Sequence, residues 1–438
     1  MPLSKIKVAV VFWRLGPYHH ARLGAAGRAV DLYGLEACGM EQTYAWEKVE
    51  GGEHFHRITL TDTFSNDRRW RQQLRRRMFV ELGKIKPDVL AVPGWSLADA
   101  LAALQWGVKN RVPVVTMSES TEWDEARTVW KEWMKRRIVG LCSAALVGGR
   151  PHKDYMVRLG MPAERVFLGY DAVDNDYFAA ETAKWRKQKI ENRNQKSEGK
   201  NQFQLSAFPI STFENTPFFL ASARFIEKKN LPRLIQAYAR YRELAQIEDG
   251  RSKMEVGGGK AESGKQKAEI WNLVLLGDGP LRKEIELRIA DCGLRNSVLL
   301  PGFKQYPDLP AYYAHAGAFI HASTTEQWGL VVNEAMASGL PVLVSNRCGC
   351  AAELVQEGVN GFTFDPLNVE QLAQLMLRIS DFRYPISDFG VASARIIAGW
   401  GPERFASGLM QAAECALRAG PVNPSLLQRT ILNALLQK

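Results

Sequence analysis

The sequence predicts an α/β fold made of two doubly wound, Rossmann-like domains facing across a cleft. Three observations carry that expectation. β-rich apolar runs alternate with helical segments along the chain, the alternation restarts after a polar break near residue 184, and 438 residues suffice for two cores.

In the first half, Ile6–Phe12 is a continuous β-rich run, followed by Arg14-Leu15-Gly16-Pro17 and a helix from about Tyr18. Strands are expected at Phe55–Leu60, Asp88–Val92, Val112–Met117 and Ala144–Val147, with helices over Asp67–Lys84, Leu97–Val108, Thr128–Val139 and His152–Leu159. Gly16 fits a close backbone approach to an anionic ligand as well as it fits a plain tight turn. The first domain is placed at 1–183. Residues 184–216 are charged, amide-rich and almost free of aliphatics, which reads as a polar linker.

The second domain, 217–401, restarts with the strand Phe218–Ser222 and a helix over Leu231–Leu244. Further strands are expected at Leu273–Leu276, Val298–Leu300, Ala318–His321 and Val342–Val344. The glycine-containing stretch Asp249–Lys267 reads as a surface insertion. Residues 402–438 read as terminal helices, the first packing back toward the N-terminal domain.

Composition narrows the function. The apolar fraction of 46% and charged fraction of 24% are those of a globular protein, and no apolar run is long enough to span a bilayer. The apolar start reads as a first strand and not as a signal peptide. Six scattered cysteines read as free thiols of a cytoplasmic protein, and Cys348-Gly-Cys350 has no neighbours to complete a metal site. A net charge of +10 calls for anionic company. Nucleic acid is disfavoured because no recognisable module is present. A nicotinamide dehydrogenase is disfavoured because no G-x-G-x-x-G follows either first strand. Two basic segments, Arg68–Arg77 with Trp70 embedded and Lys135-Arg136-Arg137, make an anionic membrane surface a candidate partner. The alternative for both is a solvated helix face.

The chemistry concentrates after the strands of the second half. Arg224 and Lys229 follow the first strand, and fixed cations there suit a pyrophosphate. Gly277-Asp278-Gly279-Pro280 and Pro301-Gly302-Phe303 follow the next two. Glu326 lies in a strand-to-helix loop with Trp328-Gly329, and Glu334 lies one to two turns into the helix that begins near Leu330 and Val331. Both carboxylates are therefore expected to face one crevice at the carboxyl end of the sheet.

These motifs, R-F-x-x-x-K, G-D-G-P, P-G-F and E-x7-E, resemble the retaining glycosyltransferases of family four, which have the GT-B fold. The resemblance is specific over roughly Phe218–Pro366. It implies transfer of a sugar from a nucleotide-diphospho-sugar (UDP-, GDP- or ADP-linked) to a saccharide or lipid-linked saccharide, with retention of configuration. Another GT-B activity, such as a nucleotide-sugar epimerase, or a non-catalytic nucleotide-sugar-binding protein, are the alternatives. Arg224 and Lys229 would bind the donor diphosphate, Glu326 would face the sugar hydroxyls, and Glu334 would hold the ribose. Gly277, Gly302, Phe303, Gly329, Leu330 and Val331 would line the donor site, and Gly16 and Glu119 would lie on the acceptor side. With these cations no cofactor or divalent metal is expected. Where many family members have a histidine, this chain reads Ser118-Glu119-Ser120, which leaves Glu119, His19 and His20 as alternatives for the acceptor-side group.

Overall fold

The apolar run near the amino terminus forms β1 (Lys7–Phe12), whose residues Val8 to Val11 are fully buried. Burial on both faces is what an unbroken apolar run achieves at the centre of a parallel sheet. The chain is described from a computed structural model, over residues 5–40, 47, 49, 54–197, 216–255, 270–381 and 386–437. It divides into two units, Met1–Asp174 with Gly399–Lys438, and Asn175–Ala398.

In the first unit β1 is followed by α1 (Pro17–Gly27), β2 (Asp31–Glu36), β3 (His56–Thr59), α2 (Arg68–Ile85), β4 (Val89–Pro93) and α3 (Ala98–Asn110). Then come β5 (Val114–Ser118), α4 (Val129–Val139), β6 (Ala144–Val147), α5 (Arg150–Arg158) and β7 (Val166–Leu168). The seven strands are parallel, in the order β3-β2-β1-β4-β5-β6-β7.

The second unit opens with α6 (Asn175–Ser197), β8 (Phe218–Ser222), α7 (Leu231–Glu255), β9 (Asn272–Leu276), α8 (Arg282–Asp291), β10 (Val298–Gly302) and α9 (Leu309–His315). It continues through β11 (Ala318–His321), α10 (Leu330–Ala337), β12 (Val342–Ser345), α11 (Ala351–Leu354), β13 (Gly361–Phe364), α12 (Val369–Ser380) and α13 (Ile386–Ile397). Its six-stranded parallel sheet has the order β10-β9-β8-β11-β12-β13. The last helices, α14 (Pro402–Ala419) and α15 (Leu426–Leu435), belong to the first unit. There Phe405, Leu409, Ala412 and Ala416 of α14 share a core with Val8 and Val10.

Both sheets reverse their strand order once, between β1 and β4 and between β8 and β11. Connections leave such a point in opposite directions and open a crevice at the carboxyl ends of the two strands. The loops after β8 and β11 carry Arg224–Lys229 and Glu326.

Among the elements that depart from the sequence reading, three have a clear physical reason. β2 is absent from it because Asp31, Gly34 and Glu36 interrupt the apolar pattern. Its acid Glu36 is fully buried and is balanced by Arg57, whose Nε lies 2.9 Å away, and by the Thr59 hydroxyl at 2.6 Å. β13 starts on Gly361, where a Cβ would sit 1.8 Å from the Val342 carbonyl oxygen, so the strand begins with a residue of low β propensity. The helix α6 occupies 184–197, where a linker was expected, because a mostly polar helix leaves no apolar stripe to read. Residues 198–215 of that expected linker and 256–267 of the expected insertion lie outside the described residues.

Candidate active site

In the second unit, adjacent carboxyl-end loops are laced together by their backbones. Phe225 N–H donates to Asp278 O at 2.8 Å, Leu281 N–H to Phe225 O at 3.1 Å, and Gly277 N–H to Gly302 O at 3.0 Å. This approach is possible because Gly277 has φ +123° and a Cβ there would sit 1.9 Å from the Ala223 carbonyl oxygen. Gly277 and Gly302 thus join neighbouring loops, Arg224 is exposed on the first of these loops, and Phe303 is exposed just past Gly302.

The loop after β8 is also fastened to the end of β11. Buried Asn230 adopts the left-handed conformation at φ 59°, and its amide donates to Ala322 O at 3.0 Å and to Pro366 O at 2.8 Å. Thr324 N–H donates to Lys228 O at 2.9 Å. These bonds bring Lys229 onto Glu326, whose Oε2 accepts from the Lys229 ammonium. Lys228 Nζ lies 3.7 Å from Oε1, His321 Nε2 is 3.5 Å from Oε2, and Ser323 Oγ donates to Oε2 at 3.3 Å. The Glu326 backbone is held as well, donating to Arg347 O at 3.1 Å and accepting from Gly349 N–H at 3.0 Å.

Burial works to raise the Glu326 pKa, but His321, Lys229 and Lys228 outweigh it and hold the carboxyl well below the usual range. His321 is lowered, chiefly by burial and against the pull of Glu326, so it stays neutral near pH 7. Two ammonium groups therefore face one carboxylate and leave one positive charge in excess. Glu326 keeps 12% of its side chain exposed, so a ligand can reach the group.

Helix α10 begins beside this cluster. Its N-cap Gly329 has φ +103°, and a Cβ there would sit 3.2 Å from His321 Nε2. Leu330 and Val331 are its partly exposed first residues, whose N–H groups have no partner within the helix. Glu334 lies further along and is fully buried, accepting from the Tyr313 hydroxyl at 2.6 Å. Phe178 of α6 meets Tyr313 edge-on at 5.9 Å and Tyr306 at 5.2 Å, while Tyr177 stacks on Tyr306 at 4.9 Å. Of the two glutamates expected in one crevice, only Glu326 presents side-chain surface.

The first unit gathers acids instead. Gly16 caps α1 and donates to His19 Nδ1 at 3.3 Å, and His19 packs on Phe12 with ring centroids 4.4 Å apart. Burial, with Arg22 nearby, lowers the His19 pKa to about 3, so the ring is neutral although part of it remains accessible. Glu119 follows β5 and is partly exposed. Asp171, fully buried, is pushed up by burial and by the neighbouring carboxyl of Glu119. Arg22 Nη2 lies 3.8 Å from Asp171, its Nε donates to Ala172 O at 2.9 Å, and its guanidinium stands 5.2 Å over the Tyr170 ring. Asp99, also fully buried, is raised to about 6 by burial, against backbone N–H bonds that lower it.

The sequence reading placed Lys229 and Glu326 in one site and did not include His321, Ser323, Asp171 or Arg22. His321 carried a signal: a titratable residue closing an otherwise apolar strand, five residues before Glu326. Lys228 joins the same cluster, 3.7 Å from Glu326.

Residues 203–383 match the family described as Glycosyl transferases group 1. Among curated proteins, the chain is 32% identical over 122 residues to the amylovoran biosynthesis glycosyltransferase AmsK of Erwinia amylovora, covering 26% of this chain and 30% of that one. It is 29% identical over 210 residues to a sucrose synthase of Acidithiobacillus caldus, covering 45% and 25%. The matches thus span less than a third of the length of these relatives. Among solved structures, Anabaena Alr3699/HepE in complex with UDP superposes with a TM-score of 0.63 at 17% identity, over 92% of this chain and 98% of that one. Sucrose-phosphate synthase from Thermosynechococcus elongatus superposes with a TM-score of 0.66 at 16% identity, over 93% and 98%. Residues 203–383 thus resemble the glycosyl transferases group 1, and the two parallel α/β sheets of the chain have the GT-B fold.

Proposed function

We propose that this protein is a retaining glycosyltransferase that moves a sugar from a nucleotide-diphospho-sugar to a saccharide or lipid-linked saccharide acceptor, in glycan or polysaccharide biosynthesis. The observation that carries the reading is Lys229 paired to Glu326, with Lys228 beside them, at the switch point of the second sheet. That unit would hold the donor and the first unit the acceptor. The names of similar proteins support it: one is an amylovoran biosynthesis glycosyltransferase, and HepE was solved with UDP-glucose.

In this reading Lys229 and Arg224 bind the diphosphate, and the N–H groups of Leu330 and Val331 add donors at the start of α10. As the bond from the anomeric carbon to the phosphate oxygen breaks, negative charge grows on the leaving diphosphate, and the fixed cations stabilise it. The acceptor oxygen bonds the anomeric carbon on the same face, and its proton passes to the leaving phosphate. Glu326 accepts hydrogen bonds from the sugar hydroxyls and, as an ion, holds Lys229 in place. Glu334 is enclosed with Tyr313, so a ribose diol reaches it only when that hydrogen bond is displaced.

A thermal-shift screen with UDP-, GDP- and ADP-sugars tests the reading, because a ligand of the native state raises apparent stability. One nucleotide class is expected to stabilise the chain, and the product formed from it is expected to keep the donor's anomeric configuration. No stabilisation of folded protein by any nucleotide-sugar would overturn the proposal.

A further inference from the structure

We propose that the outer face of α4 is a docking surface for an anionic lipid bilayer. The sequence offers two basic helices for such a role, and the structure separates them. On α2 the apolar residues Trp70, Leu74, Met78 and Leu82 are buried in the core, so that helix turns mainly charge to solvent. On α4 the apolar residues of the first turns point outward: Val129 is 90% exposed and Trp130 is 64% exposed. The indoles of Trp130 and Trp133 stack with centroids 4.9 Å apart and planes 15° from parallel. An ordered indole pair has little rotamer freedom left to lose on binding. Indoles also favour the boundary between headgroups and acyl chains.

Charge around the indoles fits an anionic surface. The acids nearby are already matched within the protein: Arg127 pairs with Asp124, Glu125 and Glu132, and Lys135 with Glu125 and Glu132. Lys131, Arg136 and Arg137 are exposed and pair with no carboxylate among the described residues. Arg137 stands 5.3 Å over the Trp133 ring. The apolar surface continues onto α15, where Gln428 donates to Arg137 O at 3.2 Å and its neighbours Leu426 and Leu427 are 82% and 45% exposed. The surface is a convex helix face with indoles and leucines between cations. That matches a lipid interface, into which such a face sinks, better than it matches a groove for a peptide or sugar. Among the described residues no helix is long and apolar enough to cross a membrane, so the attachment is peripheral.

The test is co-sedimentation of the full chain with phosphatidylcholine vesicles, with and without phosphatidylglycerol, at low and high salt. Wild-type protein is expected to bind only the phosphatidylglycerol vesicles and to be released by salt. Arg136→Gln with Arg137→Gln is expected to weaken binding about thirtyfold, and Trp130→Ser about tenfold. Neutralising two α2 cations, Arg68→Gln with Arg76→Gln, is expected to change it by less than about threefold, since Val80 is the one exposed large apolar residue of that helix and no exposed indole accompanies them. Circular dichroism establishes that each variant is folded. The nucleotide-sugar thermal shift should survive in all of them, which separates failure here from failure of the donor site. The proposal is overturned if folded wild-type chain ignores anionic vesicles, or if the α2 pair costs as much as the α4 pair. It is equally overturned if Trp130→Ser dissociates an oligomer while leaving vesicle binding unchanged.

Discussion

Both units hold carboxyls beside cations at the carboxyl ends of their parallel sheets, but the pKa values of these carboxyls move in opposite directions. In the second unit Glu326 meets two lysines and a neutral histidine, and its pKa is driven down. In the first unit Asp171 has a single buried arginine 3.8 Å away and a second acid, Glu119, so its pKa is driven up. Burial is the largest influence on both, and the number of cations decides the outcome. One crevice therefore carries spare positive charge and can receive an anion, while in the other burial and a second acid work against ionisation of Asp171. The same architecture serves both, so the ligand chemistry lies in the loops.

The largest expected effect comes from deleting the cation that defines the difference. Lys229→Ala should lower turnover with the cognate nucleotide-sugar about 10²–10³-fold, as expected for one donor lost from a developing anion. Steady-state kinetics would break the comparison if the loss were only about twofold. Glu326→Gln should cost about 10²-fold in turnover, yet leave UDP binding unchanged or tighter, because it removes the negative charge beside the lysines. Parallel kinetics and calorimetry separate the two effects.

Asp99→Asn sharpens the other side of the contrast. A folded-state pKa raised from 3.8 to about 6 gives stability that is fully present below 3.8 and lost as pH rises through about 6. The amide cannot ionise, so the variant should gain on wild type by on the order of 2 kcal/mol between about pH 4 and pH 8. Thermal denaturation across that range reads the gain directly, and curves that stay parallel would remove Asp99 from the account. The smallest effect should be Lys228→Ala. This lysine is 37% exposed and 3.7 Å from Glu326, so its loss should weaken nucleotide-diphosphate binding only about threefold in a titration.

What the sequence disclosed, and what it withheld, follows the range of the interactions involved. The strands β8, β9, β10 and β11 are apolar runs ended by glycine or charge, so they and the loops after them were legible from local pattern. Arg224, Lys229 and Glu326 could be read because each follows a strand of one sheet. β2 could not be read, because its buried acid Glu36 is balanced by Arg57 and Thr59, which lie about twenty residues further along the chain. The mutual influence of Glu119 and Asp171, and the hydrogen bond of Tyr313 to Glu334, likewise join residues on different elements. Local periodicity carries no record of such pairings. The two basic helices looked alike in composition, and only burial showed that α2 turns its indole, Trp70, into the core while α4 exposes Val129 and Trp130.

The central claim is that the loops after β8 and β11 form a site for a nucleotide diphosphate. Calorimetric titration of the full chain with UDP and with uridine, repeated on Lys229→Ala, tests it most directly, with GDP and ADP and their nucleosides run in parallel to cover base preference. The account predicts that the cognate diphosphate binds at least about 10²-fold more tightly than its nucleoside, and that most of this ratio disappears in the variant. Equal affinities for diphosphate and nucleoside in every pair, or a ratio untouched by Lys229→Ala, would contradict it.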